Sequence, residues 1–126
     1  MKPETLGWVA KAEGDWTVAV REMGSNPPVF DAVCFHAQQC SEKYLKAFLE
    51  ERGTLFGKTH NLVGLLDACA GTLPELDPMR PDLARLGTFG IAARYPGEDA
   101  DRPAAEASLR IAESVRKILR TKLVCP

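Results

Sequence analysis

Apolar residues recur at every third or fourth position along the chain, and no stretch of strand length alternates with period two. From Thr5 to Met23, the residues Leu6, Val9, Ala12, Trp16, Ala19, Val20 and Met23 make one helical stripe. Gly24 supplies a C-terminal cap, and Pro27 and Pro28 cannot continue the helix. A second helix is predicted from a cap at Asp31 to about Arg52, stopped by Gly53. On it Val33, Ala37, Cys40, Tyr44, Ala47 and Phe48 share one broad face, while His36, Gln39, Lys43, Lys46 and Glu50 line the opposite one. Phe35 and Leu49 fall beside those polar residues and mark a second contact surface.

Thr59 is the predicted cap of a short third helix from His60 to about Ala70, with Leu62, Leu65, Leu66 and Cys69 as its apolar positions and Gly71 at its end. Asp77 and Pro78 open a fourth helix, in which Pro81 is tolerated because first-turn amides have no intrahelical partner. Its stripe is Met79, Leu83, Leu86, Gly90 and Ala93, and Tyr95-Pro96-Gly97 terminates it. Asp101 caps the last helix, Arg102 to about Lys122, with Ala104, Ile111, Val115, Ile118 and Leu119 as core positions. Joined by short turns, these elements predict an all-α fold: an antiparallel up-and-down four-helix bundle with an additional short helix, forming a single domain over residues 1–126.

Composition narrows the function. Lys and Arg (16) nearly balance Asp and Glu (17), so no global basic field exists to drive nucleic-acid binding, which would have to come from a local patch. The longest apolar runs fall far short of the ~20 residues a membrane-spanning helix needs. Met-Lys-Pro-Glu-Thr lacks the apolar core of a signal peptide, and the chain is expected in the cytoplasm, away from membranes. Cys34, Cys40, Cys69 and Cys125 show no metal-finger spacing and read as buried or incidental thiols. Glu98, Asp99 and Asp101 read as acidic residues favoured at a helix N-terminus. No metal site and no cofactor is expected, and neither a P-loop nor a catalytic triad is present.

Four groups of residues carry candidate chemistry. His36, Gln39, Lys43 and Lys46 on one face of the second helix can hold a phosphate or an RNA backbone, or simply form a solvated face with Lys46 and Glu50 as an i,i+4 pair. Arg110, Arg116, Lys117, Arg120 and Lys122 concentrate positive charge on the last helix, either as a nucleic-acid footprint or as cations favoured near a helix C-terminus. His60 stands at the start of the third helix, and Arg94-Tyr95 at the end of the fourth, where capping and packing are the structural alternatives.

Taken together, these segments resemble the HEPN domain, a helical family of prokaryotes and higher eukaryotes associated with nucleotides and RNA. The resemblance rests on Trp8 and Asp15, on the block from Phe35 to Ala47 (FHAQQCSEKYLKA), on Thr59-His60-Asn61-Leu62, on Ala93-Arg94-Tyr95-Pro96-Gly97, and on the Ala-rich last helix. The family includes RNA-cleaving toxins and non-catalytic members, many paired with a small MNT-type nucleotidyltransferase. Its nucleases resemble one another in an Arg followed a few residues later by a His, and two-fold dimers bring both copies into one cleft. Arg94 matches that Arg, but Asp99, Ala100 and Asp101 occupy the window for the His. Metal-independent RNA cleavage needs a group near neutral pKa, and an ionised Asp would repel the phosphate.

The resemblance therefore implies a non-enzymatic, nucleotide- or RNA-binding homodimer, working with a nucleotidyltransferase in a toxin–antitoxin-type or related module. It implies Arg94 as phosphate ligand and Tyr95 as stacking or hydroxyl contact, with Lys43, Lys46, His36, Gln39 and His60 as further contacts. The alternatives are a metal-independent RNase toxin with a displaced His, carried by Arg94 and His60, and a pure protein-interaction module. The homodimer also follows from Phe35 and Leu49, whose exposure off the core arc would invite association.

Overall fold

The longest helix, Phe30–Glu51, runs through the middle of the bundle and is buried over more than half its length. The computed structural model describes residues 1–92 and 95–125, with Ala92 by its backbone alone. Along them lie α1 (Pro3–Met23), α2 (Phe30–Glu51), α3 (Leu62–Ala68), α4 (Arg80–Ala92) and α5 (Arg102–Lys122), with a 3-10 turn, Asp77–Met79, leading into α4. No strand occurs among the described residues. The four long helices run up and down, and α3 is the additional short one, as the periodicity predicts.

The helix ends follow local chemistry. α2 stops at a left-handed Gly53 (φ 70°), whose amide donates to the Glu50 carbonyl while the Thr54 amide donates to that of Leu49. That pair of bonds satisfies carbonyls the helix would leave orphaned, and only glycine adopts the backbone without strain. Asp101 caps α5 as expected, its Oδ1 accepting from the Ala104 amide at 2.9 Å. Two expected caps are different. α3 begins at Leu62 under Asn61, whose Oδ1 accepts from the Gly64 amide at 3.0 Å, so His60 and Thr59 precede the helix. Asp31 does not cap α2; its carboxylate reaches across to the Ala100 amide, 2.7 Å away.

Leu45, Leu49, Leu62, Leu65, Leu83, Leu86, Val115 and Leu119 form the main core around Tyr44. Each such Leu, removed from water, contributes on the order of 1.5–3 kcal/mol. Leu49 is fully buried inside the subunit, which corrects the expectation that it helps to form an association surface; Phe35 is half-buried, edge-on to His36. The face of α1 is also corrected. Thr5, Ala12, Asp15 and Ala19 are its buried residues, whereas Leu6 (50%) and Val20 (46%) stand exposed. Small side chains let α1 lie close along α2, and that seam takes up the polar stripe that the sequence set opposite the core.

Candidate functional site

A buried carboxylate on α2 organises the polar residues at the α2–α3 junction. Glu42 is only 2% exposed, and a carboxylate so placed is costly unless its oxygens are hydrogen-bonded. Oε1 lies 2.8 Å from Nδ1 of His60, and Oε2 accepts from the Lys46 ammonium at 3.1 Å. Gln38, one turn earlier, donates from Nε2 to Oε1 and also to the His60 carbonyl at 3.2 Å. α2 thus holds both ring and backbone of His60. Since an ionised carboxylate only accepts, the pairing puts a proton on Nδ1 and turns Nε2 away from Glu42. Nε2 is then an acceptor on the neutral ring and a donor on the cation, and the His60 side chain is 63% exposed.

Beside His60 opens a cleft of about 420 Å³ between α2, α3 and α4. Leu62, Val63, Leu83 and Ile91 give it apolar walls, and Gln38, Asn61 and Thr88 supply the polar positions. Gly87 leaves its floor open, with nothing within 4 Å of where a Cβ would stand. Gly90 instead faces Gln38 so closely that a Cβ would lie 2.9 Å from the Gln38 Cβ and Cγ. The bare backbone of α4 is therefore what lets Gln38 reach Glu42 and His60.

A second cluster repeats the arrangement on the α1 side. Asp15 of α1, 9% exposed, meets His36 Nδ1 at 2.8 Å and the Lys43 ammonium at 2.5 Å. Both histidines of the chain are thus oriented through Nδ1 by a largely buried carboxylate whose other oxygen holds a lysine. Gln39 lies between the clusters and donates to the Gln38 Oε1 at 2.8 Å.

The structure therefore brings His60, Lys46 and, through Gln38, Gln39 into one network, and His36 and Lys43 into another. Lys46 is buried, its ammonium 5.4 Å from the Trp8 ring centre, and its partner is Glu42 instead of the expected Glu50. Tyr95 is exposed. Arg94 and Ala93 lie outside the described residues. Glu42 and Gln38 belong to the site but lie off the stripe of His36, Gln39, Lys43, Lys46 and Glu50 that the periodicity of α2 marks as its polar face. The signal was Glu42 and Lys46 at i,i+4 inside the most distinctive block.

The basic residues of α5 are largely neutralised. Arg116 donates twice to Glu13, both at 2.7 Å, and Arg120 donates to the Tyr44 hydroxyl at 3.2 Å. Tyr44 in turn donates a short hydrogen bond to Glu13. The Arg116 hydrogen bonds hold the Glu13 carboxyl below the usual glutamate range, and burial pushes the Tyr44 hydroxyl up. Lys117 pairs with Glu113 and Lys122 with Glu75 on the surface, while Arg110 stands exposed. Among the described residues no group of three or more His, Cys, Asp or Glu is placed to hold a metal, and no helix is long and apolar enough to cross a membrane.

Comparison with known proteins agrees with the helical fold. The HEPN domain family model matches residues 5–122. The fold is similar to the crystal structure of TT1696 from Thermus thermophilus, with a TM-score of 0.83 at 22% identity, covering 96% of this chain and 99% of that one. Comparison with curated proteins gives no match.

Proposed function

The chain belongs to the HEPN domain family, and we propose that it binds a nucleotide, or a nucleotide of single-stranded RNA, in the cleft between α2, α3 and α4. Membership supports a nucleotide- or RNA-related or interaction module at the level of the family. The observation that carries the finer reading is His60, fixed by Glu42 with Nε2 free of that contact, at the edge of an apolar cleft. Apolar walls with a few placed polar groups suit a base, and the volume lies within the range of small-molecule sites. The phosphate falls to His60 and to Arg94, which follows the cleft residue Ile91 by three positions in the sequence; Tyr95 adds a stacking or hydroxyl contact. Lys43 and Lys46 act through the carboxylates they hold, while His36 and Gln39 extend the polar surface. The protein works as a homodimer with an MNT-type nucleotidyltransferase partner, a reading supported by the family resemblance.

Titration of the protein with fluorescent ATP and with labelled single-stranded RNA tests this. Arg94→Ala should weaken binding at least tenfold and His60→Ala about fivefold, since a charge-assisted hydrogen bond contributes ~1.5–3 kcal/mol and a neutral one ~1 kcal/mol. Ile91→Glu, at an exposed position, should abolish binding with the helical content intact. A wild-type protein that binds neither ligand sinks the reading and leaves a protein-interaction module. The carboxylate-oriented His60 also favours the second reading, an RNase with a displaced His. RNA cleavage by wild type, lost in His60→Ala, would establish that reading instead.

A further inference from the structure

We propose that His36 forms a second nucleotide position, outside the cleft, where its Nε2 accepts the 2′-hydroxyl of a ribose. The preferred ligand is then a short single-stranded RNA held at two positions, over DNA or a free nucleotide; this rests on the cleft reading above and names its ligand. Asp15 of α1, 9% exposed, meets Nδ1 of His36 at 2.8 Å. An ionised carboxylate only accepts, so Nδ1 carries the proton and Nε2 of the neutral ring is left as an acceptor. Nε2 has no hydrogen-bond partner among the described residues, and 29% of the His36 side chain is exposed. Phe35 meets the ring edge-on, 5.2 Å between centres, so its plane as well as its tautomer is set before a ligand arrives.

The charges of this cluster are spent on one another, since the Lys43 ammonium lies 2.5 Å from the other oxygen of Asp15. Phosphate oxygens accept hydrogen bonds just as Nε2 does, so the group that meets His36 must bring a donor. A single strand offers two kinds: base amino groups, which DNA shares, and the 2′-hydroxyl, by which a protein tells RNA from DNA. The place of His36 on α2 suits a strand that starts in the cleft. At 100° per residue, Gln39 has His36 and Lys43 on its α1 flank and Gln38 and Glu42 on its α3 flank. Gln39 donates to Gln38, which holds the His60 carbonyl, so hydrogen-bonded side chains run from the cleft edge to the middle of this face. His36 and Glu42 are separated by ~9 Å along the helix axis. A stacked strand advances ~3.4 Å per nucleotide, and four nucleotides span that distance.

Fluorescence anisotropy tests this with a labelled single-stranded tetranucleotide, made as RNA and as DNA of the same sequence, and with fluorescent ATP. Wild type should bind the RNA about fivefold tighter than the DNA, the effect of one neutral hydrogen bond. In His36→Ala the ratio of RNA to DNA affinity should fall to about one. Removing the 2′-hydroxyls one at a time from the RNA should reproduce the loss at a single position with wild type, a measurement that no folding defect affects. That single loss should disappear in His36→Ala. Equal binding of RNA and DNA by wild type, or an RNA preference that persists in His36→Ala, overturns the proposal while ATP binding leaves the cleft reading standing. Equal weakening of RNA and DNA in His36→Ala marks the residue as structural and overturns it too. A wild type that binds none of the three ligands sinks the cleft reading and the proposal together.

Discussion

Gly90 and Gly87 stand one turn apart on α4 and answer to different neighbours. At Gly90 a methyl group would collide with Gln38 close to its backbone, where the side chain cannot swing aside. Gly90→Ala should therefore destabilise the protein by about 1–3 kcal/mol, as overpacking does. It should also weaken nucleotide binding, because Gln38 would lose its hold on Glu42 and His60. Gly87→Ala meets open space and should be neutral or stabilising by up to ~1 kcal/mol through helix propensity. Chemical denaturation of both variants checks this, and equal losses would show that packing against Gln38 is not the reason for Gly90. The site was only partly legible at this scale. Lys46 has a glutamate four residues away on either side, and local spacing does not choose between them. The choice falls to Glu42 because Trp8 and the segment before α3 cover that side of Lys46.

Helix number and order were legible because stop signals coincide with breaks in periodicity, and α5 shows this best. Asp101 lies where the apolar stripe begins, and Asp101→Ala should cost ~1 kcal/mol and lower the melting temperature by a few degrees. A melting curve indistinguishable from wild type would mean that the cap is satisfied by other groups. The face of α1 was not legible, since a search for large apolar residues finds Leu6 and Val20, whereas the true seam is made of small residues and Asp15. Asp15 is acceptable there only because His36 and Lys43 lie across from it on α2. That complementarity belongs to two helices at once, and the periodicity of one helix cannot show it. Asp31 is a similar case: its best partner, the Ala100 amide, is distant in sequence, so a cap-like residue serves a tertiary contact instead.

At the scale of the molecule, Glu13 joins three helices. It lies on α1, accepts two hydrogen bonds from Arg116 on α5 and another from Tyr44 on α2, with Arg120 of α5 at 3.5 Å. The Arg116 bonds come first among the causes that lower its pKa, with the Tyr44 bond and the two arginine charges adding to them against the opposing effect of burial. With a lower pKa in the folded state than in the unfolded one, Glu13 contributes stability that is complete above the unfolded value of about 4.3. That contribution is lost as pH falls through the folded value. Tyr44 is shifted upward and keeps its proton throughout the acid range, so it remains a donor to Glu13. Arg116 is likewise raised and stays charged, leaving the carboxylate as the member of this network that titrates in acid. Glu13→Gln should therefore be less stable than wild type at pH 7, and the gap should narrow steadily below about pH 4.3 as wild-type Glu13 protonates. Urea midpoints for the two proteins between pH 7 and pH 3 measure that gap. If it stayed constant across the range, the charge on Glu13 would not be what fastens α1 to α2 and α5, and shape alone would hold the three helices together.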